Sequence, residues 1–342
     1  MNKKIKKTFS IFIKAFKLYF SNFNKFMKYM TFPVLGQILG LSLVFLFIYF
    51  YTQNIPTLVQ KFPNLNNFKT LFVTAILLTL PGLVIFVKAF WEYLVAYGAI
   101  NSMLQNMLKS GKVYDFDAHT ELVQRRSLSF VAIWLIFSLF STLLIIPLLF
   151  WIPYAVVMVY LVLTFQVFTF EPEQSPLGCM KKSFTLIKGN FASTFILLAL
   201  VGAVTYSLIP HFINFVFEIT KISEFVSKLI LPIVNNLPVD EINLMRAKVS
   251  LEALQSIDLA KFFVMTLIFQ IVIQYALPIR SILWSLWYKE LNSGVFGIVE
   301  AKSKRKSSKK PSEKLMEASK KKFATKKIDR NILKRAMEKD ED

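Results

Sequence analysis

Long stretches free of charge alternate along this chain with short segments rich in Lys and Arg. Residues 29–60, 70–87, 127–170, 191–213 and 262–279 contain no Asp, Glu, Lys or Arg. An apolar run of about 20 residues is long enough to cross a bilayer as a helix. The pattern predicts spans at about 31–52, 70–98, 191–213 and 262–287, with Pro81-Gly82 kinking the second. The run 127–170 needs a different treatment. As one helix its 44 residues would measure ~66 Å, whereas the hydrocarbon core is ~30 Å thick. It must fold back, and Pro147 and Pro153 bracket the natural turn. This gives two more spans, 127–147 and 153–170, and six in all.

Between and beyond the spans the periodicity changes. Ile5, Phe9, Phe12, Ile13, Phe16, Phe20, Phe23 and Met27 recur mostly at steps of three and four, with Lys7, Lys14, Lys17, Lys25 and Lys28 on the other face. Residues 1–28 are therefore expected to form a basic amphipathic helix lying in the membrane interface. The connection 214–260 predicts two further amphipathic helices, packed on the outside of the bundle or on the lipid surface. The first uses Ile222, Phe225, Val226, Leu229 and Ile230; Asp240 and Glu241 open the second. Trp284, Trp287 and Tyr288 are expected to close the sixth span as an aromatic belt. The tail 298–342 is Lys-rich and expected to be largely disordered.

Composition fits this picture. Hydrophobic residues make up 55% of the 342, Phe alone 35, and mean hydropathy is +0.50. A soluble domain of this length would not hide so much apolar surface. The fold class is all-α integral membrane protein, with six transmembrane helices, interfacial helices and a basic tail. The net charge of +20 is unevenly placed: residues 289–342 hold 17 of the 41 Lys and Arg, and residues 1–28 hold eight. The loops 99–126 and 171–190 hold four and three, the segment 53–69 two, and the turn 148–153 none. The positive-inside rule then places both termini in the cytoplasm, and Lys, Phe, Ile and Asn usage suggests a bacterial inner membrane.

Candidate chemistry is sparse. There is one Cys and two His, with no phosphate-binding loop, dinucleotide turn, metalloprotease helix or nucleophile elbow. No catalytic residue, metal site or cofactor is expected. Asp115, Asp117, His119 and Glu121 would suit a divalent ion if the segment were extended, and a solvated capping loop if it were helical. Lys88, Glu92 and Arg280 are charges inside spans, where charge is costly. Lys88 and Arg280 each follow 18 uncharged residues of spans running inward, so they should share a depth. Two readings stay open: a Lys88–Glu92–Arg280 cluster joining spans two and six, or separate snorkelling at the interface.

One stretch goes beyond a generic membrane pattern. Glu171 is followed by Cys179-Met180-Lys181-Lys182-Ser183-Phe184-Thr185-Leu186-Ile187-Lys188-Gly189-Asn190. It resembles the six-span bacterial family that includes the glycerophosphoryl diester phosphodiesterase membrane domain, in which a span-four Glu precedes Ala-Leu-x-x-Ser-x-x-Leu-x-x-Gly. Ser183, Leu186 and Gly189 match, while Cys179-Met180 replaces Ala-Leu. Phe16-x-x-Tyr19-x-x-Asn22 and Trp287-Tyr288-Lys289-Glu290-Leu291 are also similar. The resemblance implies a fold more than an activity, since this chain carries no phosphodiesterase domain. From the residues themselves, 174–190 predicts an interfacial helix with Leu177, Met180, Phe184 and Ile187 on one face. Lys181, Lys182 and Lys188 lie toward the other side, making a rigid elbow or a headgroup contact.

The expected function is that of a non-enzymatic transport or envelope-homeostasis component binding anionic phospholipids or partner membrane proteins. The alternative is an insertase-like factor whose tail contacts the ribosome.

Overall fold

The computed structural model describes residues 3–113, 116–142, 151–237 and 239–292. The chain divides into two units, Met1–Leu291 and Asn292–Asp342. The second, with the basic tail, lies but for Asn292 outside the described residues, as does most of the turn expected at 147–153. The first unit is helical: α1 (Lys3–Ser21), α2 (Phe23–Lys61), a short 3-10 turn at Pro63–Asn66, α3 (Phe68–Ser110), α4 (Phe116–Gln124), α5 (Ser127–Thr142), α6 (Trp151–Leu161), α7 (Thr164–Phe170) and α8 (Pro176–Ile187) come first. Then follow α9 (Phe191–Gly202), a π-helical segment Ala203–Leu208, α10 (Ile209–Ile219), α11 (Ile222–Val234), α12 (Val239–Lys248), α13 (Ser256–Tyr275) and α14 (Leu277–Leu291). Five stretches are long and apolar enough to cross a membrane: Phe23–Lys61, Phe68–Leu108, Trp151–Phe170, Phe191–Ile219 and Ser256–Leu291. A sixth counts if α4 and α5, bent by 74°, act as one. This is consistent with a multi-pass membrane protein.

Helices α2 and α3 form an antiparallel pair of unusually close approach. A Cβ at Gly40 would stand 2.5 Å from Phe86 N and 2.7 Å from Gly82 O, and one at Gly36 2.8 Å from the Ala89 methyl. Gly36 and Gly40 are four apart, so they line one strip of α2, and small residues let backbones touch where lipid gives no drive to bury larger ones. Large exposed apolar side chains run along α3 from Phe68 to Phe90 and then stop. That band is ~33 Å of helix rise, close to the ~30 Å of a hydrocarbon core. On α2 the matching continuous band runs from Phe32, with Phe23 exposed separately at the start of the helix. The second span therefore leaves the band near Phe90, and the remainder of α3 is packed among α4, α7 and α14.

Helix α14 sits at the centre of this inner part. Every residue from Leu277 to Tyr288 is buried. Trp287 Nε1 donates to Thr194 Oγ1 of α9 at 3.0 Å, and Tyr288 OH donates to Glu171 Oε1 at 2.7 Å. The expected aromatic belt is thus a core feature instead, because the polar tips of Trp287 and Tyr288 find partners inside the protein.

The amino-terminal helix departs from its expectation as well. Helix α1 ends at Ser21, and residues 23–28 are the first turns of α2. Between them Asn22 donates to Gly111 O at 3.1 Å and accepts from Val113 N at 2.9 Å. Helix α1 runs antiparallel beside α14, with Lys7 paired to Glu290 and Tyr19 OH donating to Tyr275 O at 3.4 Å. Its buried face is Thr8, Ile11, Ala15 and Tyr19, while Phe9, Ile13 and Phe20 of the expected stripe are exposed. Both helices expected in 214–260 form. Helix α11 packs on α13, but it buries Ser223 and Ser227 and exposes Ile222, Phe225, Leu229 and Ile233. Among its described neighbours, α12 leaves no residue buried and is stabilised by Asp240 and Glu241 at its start and Arg246 and Lys248 at its end.

Candidate functional site

Two readings are open for Lys88, Glu92 and Arg280, a cluster and separate snorkelling, and the structure sets Lys88 and Glu92 on one face of α3 and Arg280 against another. On a helix, residues 88 and 92 share one face, whereas residue 93 is turned ~100° from 92. The first face looks toward α2. There Lys88 Nζ lies 5.6 Å from the Phe32 ring centroid, and Glu92 lines a cavity between α2, α3 and α4. The second face, Tyr93, Tyr97 and Asn101, looks toward α14, where Arg280 lies. No ion pair joins Lys88, Glu92 and Arg280; α3 and α14 meet through Asn101, Ser281 and Ser285, with Arg280 facing Tyr93.

That joint is a polar seam. Asn101 Oδ1 accepts from Ser281 Oγ at 2.5 Å, from Ser285 Oγ at 3.1 Å and from Gln166 Nε2 at 3.2 Å. All four residues are fully buried. Helices α3, α7 and α14 are thereby held in register by buried hydrogen bonds. Five buried side-chain atoms lack a partner among the described residues, and three of them are on or beside this seam: Asn101 Nδ2, Gln166 Oε1 and Arg280 Nη1. None of these seam residues except Arg280 stood out in the sequence. A polar residue every fourth position, Tyr93, Tyr97 and Asn101, was the available signal.

The cavity lies where the apolar bands of α2 and α3 end. Its volume is about 640 Å³, and its walls include Lys25, Lys28, Tyr29, Glu92, Asp117 and Thr120, with Phe32 and Phe116 beside them. Lys25 Nζ donates to Val113 O at 2.5 Å, and Tyr29 OH shares a 2.7 Å hydrogen bond with Thr120 Oγ1. Phe116 stacks on Tyr29 at 4.7 Å. No ion pair forms among its two lysines and two carboxylates, so four opposite charges face one space at a distance from each other. Lys25, Lys28 and Asp117 had been assigned to an amphipathic face and to a loop; only the fold brings them to Glu92.

The acidic segment 115–121 does not assemble an ion site. Helix α4 separates its side chains: Asp117 faces the cavity, Glu121 pairs with Arg125 at 2.6 Å, and His119 lies 2.6 Å from Ser102 Oγ and 2.9 Å from Asn106 Nδ2. Asp115 lies outside the described residues. Among those described, no group of three His, Cys, Asp or Glu could hold a metal.

The elbow 171–190 is a packed joint. Ser175 caps α8 by accepting from Gly178 N at 3.1 Å, and Pro176 takes the first turn. The buried face is Cys179, Met180, Ser183 and Ile187, about one residue round from the expected one; Leu177 and Phe184 are exposed. Ser183 Oγ donates to Tyr160 O at 2.7 Å and accepts from Leu163 N at 3.2 Å. These are the backbone groups freed where α6 breaks into α7. Glu171 joins α14 through Tyr288 and has Lys182 Nζ at 3.8 Å. Leu186 is half-buried, Lys181 and Lys188 are exposed, and Gly189 adopts φ +85°, a left-handed conformation that ends the helix. Arg126 closes the same corner, donating to Phe168 O at 2.5 Å and Gln174 O at 3.2 Å.

Comparison with profiles of known protein families, with curated proteins and with solved structures found no match.

Proposed function

We propose that this chain is a non-enzymatic multi-pass membrane protein that binds phospholipid, with the cavity at the end of the α2–α3 pair as its headgroup site. The observation that carries the reading is the position and lining of that cavity. It opens where the exposed apolar band stops, the depth at which headgroups sit. Its lysines suit a phosphate and its carboxylates an amine, so a zwitterionic aminophospholipid is the best-matched headgroup. Acyl chains would follow Phe32, Leu35 and Leu39 on α2 and Val87 and Phe90 on α3, all exposed. Lys25 and Lys28 make this the basic end of the pair, which we assign to the cytoplasmic leaflet of a bacterial inner membrane.

Exposed Lys14, Lys17, Lys181 and Lys188 add a cationic surface that suits anionic phospholipid nearby. The resemblance to the six-span family fits the same reading, since its Ser, Leu and Gly positions lie in a structural joint and carry no reactive group.

The test is lipid retention by the purified full chain, followed by mass spectrometry. Phosphatidylethanolamine should co-purify with the native protein and fall by about tenfold in a Lys28→Gln, Glu92→Gln double variant. Equal retention by native and variant protein would remove the cavity from the reading.

A further inference from the structure

Arg280 is a buried cation with no anion beside it. It is 8% exposed, and no carboxylate of the described residues pairs with it. A guanidinium carries five N–H donors. Here its carbon lies 4.6 Å from the Tyr206 ring centroid, the Tyr93 hydroxyl faces it, and Nη1 meets no acceptor. Burying an uncompensated charge is expensive, and breaking such a residue's pairing is among the costliest defects a fold can carry. Tyr206 and Tyr93 compensate the charge in part, and Nη1 is left without an acceptor among the described residues.

Three observations say what the anion is and how it arrives. Arg280 sits beside Tyr93, which lies ~4.5 Å of helix rise beyond Phe90, where the apolar band of α3 ends. With the α3 band taken as the hydrocarbon, Tyr93 falls within the headgroup layer, ~5–7 Å thick on each side, and Arg280 lies beside it. Tyr206, which covers the guanidinium, is 50% exposed and belongs to the π-helical segment Ala203–Leu208. Such wide turns recur at functional sites in membrane and soluble helices. Gly202, at the end of α9 one turn before it, has no atom within 4 Å of where a Cβ would stand, which leaves open space on that side.

We propose that Arg280 is the receptor for a singly charged phosphate ester entering past Tyr206, a second site on the opposite flank of α3 from the cavity. A guanidinium fork matches two phosphate oxygens at once, which neither Lys88 nor Lys28 does. The site needs no contribution from the cavity, so the two proposals fail independently.

The experiment is a thermal melt of the full chain in neutral detergent with added phosphatidylglycerol, and in parallel with inorganic phosphate. Native protein should melt higher as one of these is added. Arg280→Met, which keeps most of the volume, should lose that shift, and its apparent affinity should fall about tenfold or more. Arg280→Lys should keep a weakened shift, and the Lys28→Gln, Glu92→Gln variant should keep all of it. A shift with lipid alone assigns a lipid phosphodiester; a shift with inorganic phosphate as well assigns a free anion. If neither raises the native melt, or if Arg280→Met responds as the native protein does, Arg280 is not an anion receptor. Should Arg280→Met fail to fold, the Arg280→Lys response decides, since a full native shift there overturns the role of the fork.

Discussion

Replacing Gly40 by alanine puts a methyl group where α3 already stands. Its Cβ would be 2.5 Å from Phe86 N, 2.7 Å from Gly82 O and 2.8 Å from Phe86 Cα, against an ordinary contact of 3.4–4 Å. All three neighbours are backbone, so no side chain can swing aside, and the two helices must separate by about 1 Å along the seam. Overpacking of this kind costs ~1–3 kcal/mol, and alanine recovers up to ~1 kcal/mol through its helix preference. With the full propensity gain a net loss of ~0–2 kcal/mol remains, and the loss relative to a glycine-to-alanine change in open space is the whole ~1–3 kcal/mol. Gly202→Ala is the control: it sits in a helix with nothing within 4 Å of the new Cβ, so only the propensity gain applies, at most ~1 kcal/mol. The assay is thermal or denaturant unfolding of the purified full chain in one detergent. Gly40→Ala should unfold first and Gly202→Ala at or above the native protein. Combining Gly40→Ala with Gly82→Ala should cost less than the two singly, since the first already opens the seam. A Gly40→Ala protein as stable as the Gly202→Ala control would refute the close-packed α2–α3 pair.

Ser183→Ala leaves Leu163 N buried without its acceptor and should cost ~1–3 kcal/mol, measured by the same unfolding assay; an unchanged midpoint would mean that the α6–α7 break is satisfied elsewhere. Asn22→Ala removes the bonds to Gly111 and Val113 and should also free α1, seen as faster proteolysis within residues 1–22 under native conditions; cleavage no faster than native contradicts the Asn22 anchor. The buried Cys179 thiol is pushed up to about 11 by burial, from an ordinary value of 9.0. The unfolded chain therefore loses this proton from pH 9 upward while the folded chain keeps it, so stability should fall between pH 9 and 11. Cys179→Ala should show a shallower fall over that window, and maleimide should leave the native thiol unlabelled at pH 7 until unfolding.

Apolar run length located the helices well, because hydrocarbon thickness constrains it directly. Which way each helix faces was much less legible. Phe9, Ile13 and Phe20 on α1, Leu177 and Phe184 on α8, and Phe225 and Leu229 on α11 formed apolar stripes that would mark the core of a soluble protein. All of them are exposed, and the inward positions include Thr8, Ala15, Ser183, Ser223 and Ser227 beside Ile11, Tyr19, Met180 and Ile187. Where the surrounding medium is itself apolar, an apolar stripe no longer distinguishes inside from outside, and small or hydroxyl-bearing residues mark the contacts. For the charges Lys88, Glu92 and Arg280, depth alone does not give azimuth: one residue's turn on α3 sends Glu92 to the cavity and Tyr93 to Arg280. The cavity itself was out of reach, since Lys28, Glu92 and Asp117 come from three helices far apart in the chain.

The pairing of α1 with α14 bears on the order in which the protein is made. The Lys7–Glu290 pair joins positions 283 residues apart, and α14 is the helix on which α1, α3, α7 and α8 converge, with α9 joined through Trp287 and Thr194. During synthesis the first helix emerges early; Asn22 can anchor its end to Gly111 and Val113 soon after α3, but α9 and α14, the partners along its length, follow much later. Closing so long a loop is slow relative to local helix pairing, so α2 and α3 can associate while α1 still waits with Thr8 and Ala15 uncovered. The last helix to appear is thus the one that completes the core, and a nascent chain halted before Leu277 would hold its helices without the centre they pack around.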